Sequence, residues 1–305
     1  MRTVSGKVAF ITGGAGGIGL GLAKVLRRAG MHVAVSYRRP EQLEQARSEG
    51  LDPDVFAVRL DVTDRDAMAA AAREIVARFG KLHVLVNNAG VSVFGPTDEA
   101  TYDDYDWIMG VNFGGVVNGL VTFIPFLKAH GEEGHIVNVA SMAAFLPGPQ
   151  AGIYTASKFA VRGLTESLRD NLAPYGIGVS LMAPALVRSN AFESALRRPA
   201  RFSNTKFPAS ATVAEQMRAV FEAGMDPVEV GEKMLRGILQ NDLYILTHPE
   251  NKDEYEELHR LVLEAWPDEP TDPRRQAIEN LRRQARIDAR KRPTVIGDLT
   301  EKQQT

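Results

Sequence analysis

Seven short apolar runs recur along the chain, at Val8–Thr12, Met31–Ser36, Asp54–Leu60, Leu82–Val86, His135–Ser141, Ile177–Met182 and Leu243–Thr247. Each has the length and continuous apolar character of a strand buried on both faces. Between them the pattern changes to helical spacing over Leu20–Arg28, Glu41–Glu49, Asp64–Phe79 and Tyr102–Lys128, from Tyr154 onward, and up to Leu239 from a start marked by Asp226-Pro227 as cap and first-turn residue. Buried strands alternating with amphipathic helices predict an α/β fold with a doubly wound parallel sheet. Beyond the last run, Lys252–Trp266 and the basic Arg274–Arg290 read as two helices joined by a Pro267–Pro273 linker. The pattern thus predicts a sheet domain over residues 1–248 and a helical extension over 249–305.

The first strand pattern runs straight into Gly13-Gly14-Ala15-Gly16-Gly17-Ile18-Gly19, and a helix follows. Gly14, Gly16 and Gly19 satisfy the dinucleotide fingerprint, in which missing side chains let backbone N–H groups and a helix N-terminus approach a pyrophosphate. With both flanks correct, the sheet is of the Rossmann type and its first turn binds a nucleotide. The end of the second strand, where such units usually carry an acid for the adenosine ribose, instead reads Tyr37-Arg38-Arg39. A carboxylate there repels a 2'-phosphate, whereas a guanidinium binds one through charge-assisted paired contacts. The substitution favours NADP(H), with NAD(H) as the alternative if the arginines merely solvate a loop before Pro40.

Tyr154 and Lys158 stand four residues apart at the start of a helix, on one face. A phenol with an ordinary pKa of about 10 needs roughly three units of depression, about 4 kcal/mol, to exchange a proton near neutrality. A fixed cation supplies that, so the pair reads as an acid/base for an alcohol or carbonyl substrate. The strand ending at Ser141, thirteen residues before Tyr154, delivers a hydroxyl to the same sheet edge. Asn112, among Val111, Phe113, Val116 and Val117, is a polar residue in an apolar helix and needs internal partners.

The string Thr12-Gly13-x-x-x-Gly17-x-Gly19, together with Asn112, Ser141, Tyr154 and Lys158 in that order, resembles the short-chain dehydrogenase/reductase family over roughly residues 5–247. The resemblance implies a catalytic domain over 1–248, a tetrad of those four residues, and an Asn112 that orders a water between the lysine and solvent. It further implies cofactor contacts at Gly13, Gly16, Gly17, Ile18, Gly19, Tyr37, Arg38, Asp61, Val62, Asn88, Ala89, Gly90, Tyr154, Lys158, Pro184 and Val187, and a homodimer or homotetramer built on the outer face of the Tyr154 helix. Ala185 stands where the family usually has glycine after Pro184. Thr101–Trp107, Gly110-Val111-Asn112, Asn118-Gly119, Tyr175–Ser180 and Ser189-Asn190 are similar to the bacterial Cα-dehydrogenases of lignin β-aryl ether breakdown. Those oxidise benzylic secondary alcohols with NAD and have an acid at the position of Tyr37. A bulky aromatic alcohol or aryl ketone is the implied substrate. The alternatives are a general carbonyl reductase for steroid, polyketide or xenobiotic ketones, and a nucleotide sensor without chemistry. A lid is expected over about 188–225, broken by Pro199 and Pro208, with Phe192 and Phe202 toward the substrate. Along the Tyr154 helix, Phe159, Ala160, Leu164 and Leu168 are expected to form a packed stripe.

Composition narrows the partners. The 305 residues are 44% hydrophobic and 24% charged, with a net charge of -2 and a pI near 6.3, which offers no field for nucleic acid or an anionic membrane. There is no cysteine, which excludes disulfides and thiolate chemistry, and the six histidines show no metal-ligand spacing. The first apolar run is too short for a signal peptide and no stretch reads as long enough to span a bilayer. A cytoplasmic enzyme acting on a small molecule is the expectation.

Overall fold

In the computed structural model, which describes residues 1–207 and 209–291, seven parallel strands form one sheet in the order β3-β2-β1-β4-β5-β6-β7. They are β1 (Val8–Ile11), β2 (His32–Tyr37), β3 (Phe56–Arg59), β4 (Val84–Asn87), β5 (Gly134–Val139), β6 (Ile177–Ala183) and β7 (Tyr244–Leu246). Residues Ala9, Phe10 and Ile11 of β1 pair with Val33, Ala34 and Val35 of β2 on one side and with Val84, Leu85 and Val86 of β4 on the other. The strand order therefore reverses direction at β1, and a crevice opens there beyond the carboxyl ends of the strands.

Helices cover both faces. They are α1 (Gly17–Arg28), α2 (Pro40–Ser48), α3 (Arg65–Phe79), α4 (Tyr102–Met109), α5 (Gly115–Ala129), α6 (Gly152–Leu172), α7 (Ala211–Glu222) and α8 (Pro227–Gln240). One core lies between the sheet and α3, α5 and α6, around Phe10, Met68, Ile75, Leu85 and Phe123; the other, under α1 and α8, holds Leu22, Leu26, Val35, Val86, Met234 and Ile238. The close crossing of α1 and α8 depends on Gly21, since a Cβ there would lie 2.1 Å from the Pro227 carbonyl oxygen. Asp226 caps α8 by accepting from the Val228 N–H.

Three findings depart from the sequence pattern. The run Tyr102–Ala129 is one continuous helix, long and apolar enough by composition to cross a bilayer, but half of its apolar window is buried inside the protein. Its apolar residues therefore face the core from one side. The buried stripe of α6 is Ile153, Ser157, Lys158, Val161 and Thr165, while Phe159 is exposed and Leu164 and Leu168 only flank the core. That frame follows from Lys158, which must reach β5, and it turns Phe159 outward. The expected lid contains α7, which the polar, proline-broken sequence hid, preceded by the short turns Ala191–Glu193, Ala195–Arg197 and Ala200–Phe202. Pro208 lies outside the described residues. After β7 the chain continues as α9 (Lys252–Glu264) and α10 (Pro273–Lys291), and residues 292–305 of the expected extension lie outside the described residues.

Candidate active site

The glycine turn fits between β1 and α1 because nothing larger would. A Cβ on Gly19 would meet the Gly13 carbonyl oxygen at 2.3 Å and Asn88 Nδ2 at 2.7 Å, and Gly17 has the left-handed φ of +48°. At Gly16 the same test meets nothing within 4 Å, so its backbone faces open space. No side chain caps the N-terminus of α1, which leaves first-turn amides for a ligand. Around this turn Thr12 Oγ1 accepts from the Asn88 and Ala89 amides at 2.9 and 3.0 Å, while the Gly13 amide donates to Ser36 Oγ at 2.9 Å. β1, β2 and β4 are thereby tied together at the crevice floor.

The crevice has a volume of about 1240 Å³. Of the residues singled out in the sequence, Gly13, Gly16, Gly17, Ile18, Tyr37, Arg38, Asp61, Val62, Asn88, Ala89, Gly90, Ser141, Tyr154, Lys158, Pro184, Val187 and Phe192 line it. Gly19 is packed beneath the turn, and Asn112 is buried behind the wall at 1% exposure. Phe202 lies apart from the crevice, half-buried against the core on the α4 side. An uncapped helix start, a bare glycine cradle and a long cleft fit an extended dinucleotide: the turn would hold its pyrophosphate, Asp61 and Val62 would flank its adenine, and Tyr154 and Lys158 would flank its ribose and nicotinamide.

Ser141 lies two residues beyond β5, where its Oγ accepts from the Ala143 amide at 3.2 Å. Tyr154 is in the first turn of α6, and Phe94 meets its ring edge-on with centroids 5.5 Å apart. Burial raises the Tyr154 pKa, opposed by the facing Ser141 and Ser92 hydroxyls. The depression expected from Lys158 is thus not present in the chain alone. The Lys158 ammonium lies 5.5 Å from the centre of the tyrosine ring and donates to the Val139 carbonyl at 3.3 Å. Burial lowers the lysine itself to about 8. In this state the phenol keeps its proton, which is the form an acid needs.

Between α4 and α5 the backbone widens into a π turn over Gly110–Gly114, and Asn112 sits at its middle. Asn112 Oδ1 accepts from the Val91 amide at 2.8 Å, and its Nδ2 donates to the Val91 carbonyl at 3.0 Å and to Ser157 Oγ at 3.1 Å. Ser157 in turn donates to the Tyr154 carbonyl at 2.6 Å. A Cβ on Gly90 would sit 3.1 Å from Asn112 Oδ1 and 3.6 Å from Lys158 Nζ, so the glycine keeps those two groups close. Ala185 packs its methyl toward the core, and its amide donates to His248 Nδ1 at 3.1 Å.

Sequence reasoning missed Ser92, Phe94, Ser157, Phe221 and Arg197. Ser157 carried a signal, since it stands three residues after Tyr154 on the same helix face. The others come from loops or from the lid, where no periodicity marks which side chain faces inward.

A crossover sheet with a nucleotide cradle and a serine, tyrosine and lysine at one mouth defines a nicotinamide-dependent alcohol/ketone oxidoreductase. The chain belongs to the short-chain dehydrogenase family, whose model (short chain dehydrogenase) matches residues 7–199. A C alpha-dehydrogenase of Sphingobium sp. (strain NBRC 103272 / SYK-6) is 40% identical over 286 residues, covering 92% of this chain and 94% of that one. A putative short-chain dehydrogenase from Novosphingobium aromaticivorans superposes with TM-score 0.81 at 38% identity, over 96% of this chain and 99% of its own. A Burkholderia phymatum family member solved in complex with NAD has TM-score 0.79 at 33% identity, over 89% of this chain and all (100%) of its own. The chain is thus an alcohol-dehydrogenase-type enzyme acting on small molecules, similar to the C alpha-dehydrogenase.

Proposed function

We propose that this enzyme interconverts a bulky aromatic secondary alcohol, such as a benzylic alcohol, and its aryl ketone, with NADP(H) in preference to NAD(H). The observation that carries this reading is one cleft with Ser141, Tyr154 and Lys158 at one end and Arg38, in place of an acid after β2, at the other. When bound, the nicotinamide supplies or accepts the hydride. Tyr154 gives its phenolic proton to the ketone oxygen in reduction and takes the hydroxyl proton in oxidation. Ser141 Oγ donates to that same oxygen and holds it. Lys158 stabilises the phenolate once the proton has left, and Asn112, by fixing Val91 and Ser157, keeps the lysine supplied with a route for protons.

Aromatic substrate preference is supported by Phe94 beside Tyr154 and by Phe192, whose ring lies 5.6 Å from that of Phe221 at the same cleft. Arg38, with Tyr37 at the strand end, supports the 2'-phosphate. Exposed Val121 and Phe159, 71% and 41% accessible on the outer faces of α5 and α6, support a homodimer or homotetramer. We place the catalytic domain in residues 1–248 and the enzyme in the cytoplasm.

The test is turnover, followed by reduced-nicotinamide absorbance, with NADP(H) and NAD(H) in parallel against aryl ketones, benzylic secondary alcohols, steroid ketones and short aliphatic ketones. Aryl substrates turning over fastest with NADP(H) is the expected result. Preference for steroid or aliphatic ketones moves the enzyme to general carbonyl reduction, and cofactor binding without any turnover removes the catalytic reading.

A further inference from the structure

The lid carries a positive charge into the cofactor end of the cleft. Arg38 and Arg39 line that end and have no ion-pair partner among the described residues. Arg197, in the lid turn Ala195–Arg197, lines the cleft as well and pairs with Glu193 four residues earlier. The charges of Arg39 and Arg38 reach it: after burial, they are what holds the Arg197 pKa below its usual value. Glu41, in the first turn of α2, and Glu49, just past its end, also line this cleft, but both are exposed, where water screens them.

Arg197 is placed there by its neighbour. Arg198 turns the other way and forms a 2.7 Å ion pair with Asp104 in which the two side chains are 9% and 0% exposed. Its guanidinium also lies 4.6 Å from the centre of the Trp107 ring. Thr205 donates to the same carboxylate at 2.6 Å, and the Asn204 amide donates to Asp103 at 2.9 Å. This part of the lid is therefore fastened to α4, and the next residue back is held over the cleft. Arg38, Arg39 and Arg197 line one cleft and only Arg197 is ion-paired among the described residues, so the three guanidiniums oppose one another until an anion joins them. A phosphate monoester, with close to two negative charges and three acceptor oxygens, has the matching chemistry.

We propose that Arg197 is a ligand of the cofactor's 2'-phosphate, supplied by the substrate lid, so that the phosphate draws the lid against the end of β2. The inference rests on the NADP(H) reading above. It makes cofactor choice sensible at the substrate mouth, because Phe192 lies on the same lid segment and lines the cleft.

The experiment is calorimetric binding of NADP+, NAD+, 2',5'-ADP and 5'-AMP to the full chain and to Arg197→Gln and Arg38→Gln, with hydrogen exchange of residues 188–200 in each complex. Arg197→Gln is expected to weaken NADP+ and 2',5'-ADP about tenfold and to leave NAD+ and 5'-AMP within about twofold, the latter also showing that the variant is folded. In the unmodified protein NADP+ is expected to protect 188–200 more than NAD+ does, and this difference disappears in Arg197→Gln. If Arg38→Gln weakens NADP+ but Arg197→Gln does not, the lid ligand is overturned while the NADP(H) reading stands. If both variants bind NADP+ and NAD+ as the unmodified protein does, both fall together.

Discussion

At the Tyr154 end of the cleft the polar groups are buried and answered within the chain: Asn112 by Val91 and Ser157, Ser157 by the Tyr154 carbonyl, and Lys158 by Val139. At the Arg38 end, Arg38 and Arg39 after β2 and Arg197 from the lid line an open cleft, and of these three only Arg197 has an ion-pair partner, Glu193, among the described residues. The first arrangement is complete before any ligand arrives and so fixes geometry, as proton transfer requires. The second is incomplete, and its unfavourable charge is relieved only by an anion of the right valence. The proposed function assigns chemistry and cofactor selection to opposite ends of one site.

The contrast can be broken most severely at the closed end. Tyr154→Phe is expected to lower kcat about a thousandfold, with NADP+ affinity unchanged by calorimetry. Loss of binding instead would mean that the phenol holds the cofactor and not the proton. Next in size, Asp104→Ala strands the buried Arg198 and is expected to cost about 3 to 5 kcal/mol in urea unfolding. A cost under about 1 kcal/mol would show that the lid anchor is solvated. The Lys158 ammonium sharpens the picture through pH. Its folded pKa of about 8 lies below the ordinary 10.5, so between those values the unfolded chain binds the proton more tightly and stability rises with pH. Below pH 8 the whole penalty is present, about 3 kcal/mol at 1.36 kcal/mol per unit. Lys158→Met is therefore expected to raise the thermal midpoint at pH 7, by a margin that narrows toward pH 10. A margin independent of pH would assign the effect to packing.

Legibility in the sequence followed the same division. The β1 turn and α1 could be read because close approach leaves glycine alone able to fit at position 19, and seven apolar runs marked seven strands. Tyr154, Lys158, Ser141 and Asn112 could be read as a group because they stand in the order of the short-chain dehydrogenase/reductase tetrad that the chain resembles. The π turn at Asn112 could not, since a one-residue widening leaves the apolar period nearly intact. The lid was read least well. Phe202 looked like a substrate contact, but the Arg198 anchor to Asp104 turns its segment toward α4. Arg197 reaches the same cleft as Arg38 only through the fold, and no local pattern distinguishes it from its neighbour Arg198.

The smallest expected effect carries the most direct test. It is the ratio of kcat/KM for NADP+ over NAD+ with one benzylic secondary alcohol, measured for the unmodified enzyme and for Arg38→Gln. The account predicts a clear NADP+ preference that falls about tenfold in Arg38→Gln, with kcat at saturating cofactor unchanged. A preference for NAD+ in the unmodified enzyme, or a ratio that Arg38→Gln leaves unmoved, would contradict the separation of selection from chemistry across the cleft.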